Sequence, residues 1–214
     1  MFIYVLNYFF GLSKSAQLVY RADNSGPFPK PYAGSTVPSK DRIDHITIHG
    51  FLQAFSGPGL QPTTRRYMNA LATRLEAKNI STEWIEMADL STFFRDVVGS
   101  ALVESIYGPS MLQVNPNFVR HLWEFDAAVP WLARAVPSFI KPSAHKPRQD
   151  CVDQVKRWYA YAREHFDSAC IAPDGDGDPY WGSNLMRYRQ ENLLAVKGHD
   201  DDALARLDLG LAWG

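Results

Sequence analysis

Hydrophobic and polar positions divide the chain into three stretches. It opens on ten largely apolar residues, MFIYVLNYFF. Residues 21–42 (RADNSGPFPKPYAGSTVPSKDR) are rich in Pro, Gly and Ser, the composition of a long loop. From Asp44 onward apolar residues recur every three or four positions, the spacing of helices that bury one face. A helix over about 44–56 is broken by Gly57-Pro58-Gly59, and Pro62-Thr63 starts the next. In that second helix Tyr67, Leu71 and Leu75 oppose Arg65, Arg66, Arg74 and Glu76. Met87, Leu90, Phe94, Val97 and Ala101 mark a third helix, stopped by Gly108-Pro109. Asn115-Pro116 reads as a cap with proline at the first helical position, followed by Phe118, Leu122, Phe125, Val129 and Leu132. Pro137 and Pro142 punctuate a connection. Val152, Val155, Tyr159, Ala162 and Phe166 then line a long amphipathic helix, with Asp153, Lys156, Arg163 and Glu164 outside. Residues 173–182 are a tight loop and 184–196 a further helix.

The last stretch, 200–214 (DDDALARLDLGLAWG), carries the strongest expectation. Three acidic residues open it, which suits the positive end of a helix dipole. Leu204, Leu207 and Leu211 recur at helical spacing, and Leu209, Ala212 and Trp213 widen the apolar surface. The pattern has no stop signal. It is read as a core helix cut while still apolar, so the chain is expected to be incomplete. With no internal repeat and no sheet signal, the fold class is mainly α. The chain is taken as one partial domain, 1–214: an apolar start and Pro/Gly-rich loop over 1–42, and a helical part over 43–214.

Composition narrows the function classes. Hydrophobic residues make up 46% and charged residues 21%, which excludes general disorder. A formal net charge of -1 gives no electrostatic case for nucleic acid. Two cysteines, Cys151 and Cys170, make no disulfide framework and are read as structural thiols in a reducing compartment. The apolar N-terminus is too short to span a bilayer and has no signal-peptide architecture. Buried strand, buried helix and interfacial segment all fit it, and burial is the reading taken. G-x-S-x-G, the P-loop and H-E-x-x-H do not occur. Pro62 stands where a dinucleotide fingerprint starting at Gly57 needs its last glycine. Asp174, Asp176 and Asp178 alternate like a calcium loop, but Pro179 and Leu185 occupy its turn-glycine and glutamate positions, so a solvated loop is expected. His45 and His49 lie one helical turn apart without the further ligands that zinc needs. The residues alone therefore specify no catalytic set and no metal site.

Four ordered segments resemble successive pieces of a cytochrome P450: residues 45–60 (HITIHGFLQAFSGPGL), 84–108 (WIEMADLSTFFRDVVGSALVESIYG), 115–140 (NPNFVRHLWEFDAAVPWLARAVPSFI) and 203–214 (ALARLDLGLAWG). The resemblance is nearest to the branch with sterol 7α-hydroxylase and prostacyclin synthase. It implies an incomplete P450 fold, from roughly the B–C loop to the start of the I helix. The family's cysteine loop, F-x-x-G-x-x-x-C-x-G, is absent: Arg163 lies seven before Cys170 and Ala144 seven before Cys151. No E-x-x-R occurs either.

The resemblance implies haem as cofactor, an apolar sterol- or lipid-like substrate that is hydroxylated, and an electron-donating reductase. It implies that the full-length protein sits on the cytosolic face of the endoplasmic reticulum membrane, attached through an N-terminal segment this chain lacks. No catalysis is expected of the chain alone. Phe28, Tyr32, Pro137 and Phe139 would frame a substrate channel. Trp213 and Gly214 would approach the haem, with core packing the other reading for Trp213. His45 or His49 would donate to a haem propionate, against an ordinary polar helix face. The competing function is a non-catalytic helical module that binds an apolar ligand or a partner helix.

Overall fold

The apolar N-terminus folds as helix. In the computed structural model, which describes residues 2–78, 84, 86–87 and 89–213, Phe2–Tyr4 is α-helical and Val5–Phe9 continues as a π turn. Leu6 and Phe10 are buried while Tyr4 and Tyr8 face outward, so the segment is amphipathic. Helix α1 (Lys14–Ala22) is capped by Ser13, whose Oγ accepts from the Ala16 N–H at 3.2 Å. The Pro/Gly-rich loop that follows is not loose. Buried Arg42 reaches back into it and donates to Ser25 Oγ (3.1 Å) and to the carbonyls of Gly26, Phe28 and Pro29.

Helix α2 (Ile43–Phe55) leads through a 3₁₀ turn at Gly57–Gly59 into α3 (Leu60–Glu76), so the second helix starts before the expected Pro62. Helix α4 runs over 90–107 and changes to π geometry at Phe94–Gly99. Its stripe is only half used. Val97 and Ala101 are buried, but Met87, Leu90 and Phe94 face outward, because α3 and the next helices cover only the C-terminal half. Short α5 (Pro109–Val114) precedes α6 (Phe118–Leu132). Asn115 does not cap α6 through its side chain as expected. Its Nδ2 donates across to the Gln154 carbonyl at 3.0 Å, tying the turn to α7 (Pro142–His165).

Helices α6 and α7 form the main pair, and α8 (Asn184–Leu193) packs on α2. The last helix, α9 (Asp201–Trp213), lies on α7. Its first turn is capped by Asp200, whose Oδ1 accepts from the Ala203 N–H at 2.8 Å. There is no strand among the described residues, only an isolated bridge between Asp178 and Gly182. The architecture is a mainly α assembly. No described helix is long and apolar enough to cross a membrane.

Trp158 organises the centre. It is fully buried, its ring meeting Tyr107 at 5.4 Å and Trp181 at 5.3 Å edge-on. Its indole N–H donates to the Tyr180 carbonyl (2.8 Å) and Ser110 Oγ (3.1 Å), so no polar atom is stranded. Trp158, Tyr159, Phe118 and Phe125 are all wholly inaccessible, each worth about 1.5–3 kcal/mol in apolar burial.

The aspartate loop is solvated only in part: Asp174 and Gly175 are exposed, but its second half is pinned. Asp178 is buried, accepts from the Tyr180 and Trp181 N–H groups at 2.8 and 2.7 Å, and pairs with Arg187. Arg66 holds Asp176, and Arg65 lies 3.7 Å from Asp174. Gly182 completes the turn at φ 79°, pressed so closely on Gly108 that a Cβ there would sit 2.0 Å from the Gly108 nitrogen.

Candidate functional site: an apolar cleft against the last helix

Helical spacing on two elements produces the site. Thr47, Phe51 and Phe55 are four apart on α2 and share a face. Leu207 and Leu211 are four apart on α9. These two faces, with Phe10 and Tyr20, bound an open cleft of about 460 Å³. That size lies within the range of small-molecule sites. The terminal helix is thus divided: Leu204 and Leu209 are sealed in the core, while Leu207 and Leu211 are only partly covered.

One charged side chain reaches this apolar surface. Arg189 of α8 lines the cleft, yet it is only 3% exposed. Its Nε donates to Asp208 Oδ1 at 2.6 Å, and its Cζ lies 5.8 Å from the Phe51 ring centre. Asp208 is wholly buried and also accepts from the Tyr159 hydroxyl. The Tyr107 hydroxyl donates to the Asp208 backbone carbonyl at 2.7 Å. Burial opposes the charge on Arg189, but Asp208 outweighs it and holds the guanidinium above its ordinary pKa. Burial, reinforced by Asp208, pushes both tyrosines well up. The network is therefore a cation–anion pair with two neutral phenols, joining α4, α7, α8 and α9.

The residues singled out from sequence fall in several places. His45 and His49 face the same way on α2, their ring centres 5.6 Å apart. His45 Nδ1 is 3.0 Å from the Pro27 carbonyl oxygen, and His49 lies against Tyr188. Phe28 and Tyr32 form an exposed edge-on pair, and Phe139 is 82% exposed in the α6–α7 connection with Pro137. Trp213 enters an aromatic cluster with Phe9, Phe10 and Phe125, and its indole N–H donates to Asp126 at 2.9 Å. Gly214 lies outside the described residues. None of the described ones lines the cleft, although Trp213 touches it through Phe10.

The cleft residues were missed for a definable reason. The Thr47, Phe51, Phe55 stripe is a period-four pattern in the sequence, but nothing local distinguishes a cleft wall from ordinary core packing. Arg189 carried no local signal, since its partner lies on another helix.

Neither cysteine fits a haem thiolate. Cys151 is fully buried on α7, where burial and then the nearby Asp150 and Glu124 push its thiol up, favouring S–H. Cys170 sits exposed on the 3₁₀ turn Ser168–Cys170, so it is not the packed thiol expected. Among the described residues no group of three His, Cys, Asp or Glu side chains could hold a metal ion.

Sequence comparison with known proteins finds relatives of one kind. The chain is 34% identical to cytochrome P450 monooxygenase fsoE of Humicola fuscoatra over 80% of its length. It is 30% identical to cytochrome P450 monooxygenase efuG of Hormonema carpetanum over 86%, and 25% identical to cytochrome P450 monooxygenase calL of Penicillium decumbens over 87%. The chain covers 30%, 33% and 35% of those three proteins respectively, about a third of the length of the curated relatives it matches. None of these names points to the sterol 7α-hydroxylase or prostacyclin synthase branch. No protein-family model matches the chain, and no solved structure matches it significantly.

Proposed function

We propose that the chain, a cytochrome P450 sequence over most of its length, supplies one wall of the substrate chamber of a haem-dependent monooxygenase. The observation that carries this reading is the open apolar cleft between α2 and α9 in a chain 34% identical to a P450 monooxygenase. When bound, a thiolate-ligated haem activates dioxygen so that one oxygen atom enters an apolar substrate. The chain's own cysteines do not fit that thiolate, so no chemical step is assigned to them.

The chain's own contribution is positional. Phe10, Phe51, Leu207 and Leu211 hold an apolar molecule and keep water from it. The exposed rings of Phe28, Tyr32 and Phe139, with Pro137, frame its approach. His45 or His49 would donate to a haem propionate, and Trp213 would brace the helix expected to approach the haem. A sterol- or lipid-like substrate suits the cleft's lining. A reductase delivers electrons, and the endoplasmic reticulum membrane is the site of action. Alone, the chain is catalytically silent.

Two measurements test this. An apolar fluorescent probe binds the purified chain, and Leu211→Trp, which fills the cleft, weakens binding by about tenfold. An unchanged affinity would mean that the probe sits elsewhere. Haem added to the chain gives no thiolate-type reduced carbon-monoxide spectrum, and the appearance of one would refute the assignment of both cysteines.

One observation favours the second reading, a non-catalytic ligand-binding module. The Arg189–Asp208 network and the sealed Leu204 and Leu209 anchor the final helix within the chain itself. A monodisperse chain that binds the probe, and whose gene ends at Gly214, would support the module.

A further inference from the structure

Arg189 is an unusual lining residue for an apolar cleft, and its hydrogen bonds are incomplete. Nε and Nη2 both engage Asp208 Oδ1, at 2.6 and 2.5 Å. Nη1 makes no hydrogen bond to a described residue and is not among the sealed unpartnered atoms, so it stays accessible. The remaining Asp208 oxygen is committed to Tyr159, so it cannot turn towards Nη1 without stranding that hydroxyl. Among the described residues Arg189 is thus the one charged side chain lining the cleft, whose other polar lining groups are the Thr47 and Tyr20 hydroxyls.

Charge decides what such a donor selects. The positive charge of Arg189 is already matched by Asp208, whose side chain is wholly buried. The pair is neutral as a unit. A ligand carboxylate would bring a second anion beside Asp208 with one cation between them, and would also lose its own hydration. A neutral oxygen adds no second anion, loses far less hydration, and satisfies the open N–H. We infer that Arg189 makes the cleft selective for neutral apolar molecules carrying one acceptor oxygen, such as a ketone or ester, over hydrocarbons and carboxylates of equal length. This rests on the cleft being the ligand site. The donor would also fix the ligand's orientation, with its carbonyl end down at α8 and its hydrocarbon along Phe51 and Leu211.

The test is a matched series: n-undecane, methyl nonyl ketone and undecanoate at neutral pH, each displacing an apolar fluorescent probe from the wild-type chain. The ketone should bind at least about tenfold tighter than the alkane, as expected for a hydrogen bond from a charged donor. The carboxylate should bind no tighter than the alkane. The infrared carbonyl band of the bound ketone should move to lower frequency than in hydrocarbon solvent. In the triple variant R189M/D208L/Y159F, which removes the polar network together, the ketone's advantage should vanish. Equal affinity across the series with an unshifted carbonyl band overturns the inference and leaves the cleft as a ligand site. Tightest binding by the carboxylate overturns it too, because the guanidinium would then act as a free cation. If no member of the series binds, the cleft reading itself fails. Should the triple variant not fold, the wild-type series and the infrared shift still decide the matter.

Discussion

Replacing Asp208 by asparagine probes the energetic centre of the molecule. Asp208 is wholly inaccessible and the Arg189 side chain is only 4% exposed, so both charges are largely stripped of water in the folded state. The asparagine amide would still accept one hydrogen bond, but the guanidinium would remain buried without a counter-charge. Breaking a buried pair from one side costs about 3–5 kcal/mol. For a chain of this size each kcal/mol lowers Tm by about 2–4 °C, so the variant should melt roughly 6–20 °C lower. Equilibrium urea unfolding followed by the fluorescence of buried Trp158 and Trp181 reads the change as a lower midpoint at unchanged slope. The triple variant R189M/D208L/Y159F removes both charges and the hydroxyl they serve. It should lose less stability than D208N, because no buried charge is left alone. A D208N cost under about 1 kcal/mol, or a triple variant weaker than the single one, would show that water reaches the pair and refute the reasoning.

Three further outcomes follow from the same geometry. Gly182→Ala should cost more than about 2 kcal/mol, since it places a Cβ against the Gly108 backbone at a positive φ; urea unfolding measures it. His199 is held below its ordinary pKa, first by burial, with Arg189 adding to the effect, and its Nε2 is buried without a partner among the described residues. The unfolded chain therefore binds its proton first, so this contribution to stability is full above about pH 6.5 and is lost as pH falls through the unfolded value toward the lower folded one. His199→Gln should flatten the midpoint-versus-pH curve in that window. With a thiol reagent at neutral pH, exposed Cys170 should react at once and buried Cys151 only in denaturant; rapid reaction of both would contradict the buried position of Cys151.

Much of the fold was legible because helices announce themselves locally. The spacing of Val152, Val155, Tyr159 and Ala162 marked the buried face of α7, and all four are inaccessible. The acidic opening of the last helix matches its dipole, and Asp200 also proves to cap it. What periodicity could not supply was which apolar face meets another element. Leu90 and Phe94 continue the stripe of Val97 and Ala101, yet they face outward because nothing described packs over them. Asn115 was a plausible cap by residue type, but a carbonyl on α7 competed for its amide and won. Arg42, Arg66 and Arg187 pin two stretches that composition alone marked as a long loop and a solvated loop, through partners up to 110 positions away. The cleft shared this difficulty. Its walls were visible as stripes, but the pairing of α2 with α9 and the arrival of Arg189 from α8 are tertiary facts. Family membership was legible for another reason, since an ordered set of weak segments carries information that no single one does.

The most direct test is to locate a bound ligand. Nuclear Overhauser contacts from the hydrocarbon protons of methyl nonyl ketone should reach the Phe51 and Phe55 rings and the Leu207 and Leu211 methyls, with its carbonyl end nearest Arg189. Contacts confined to the exposed rings of Phe28, Tyr32 and Phe139, with none to α9, would contradict the account.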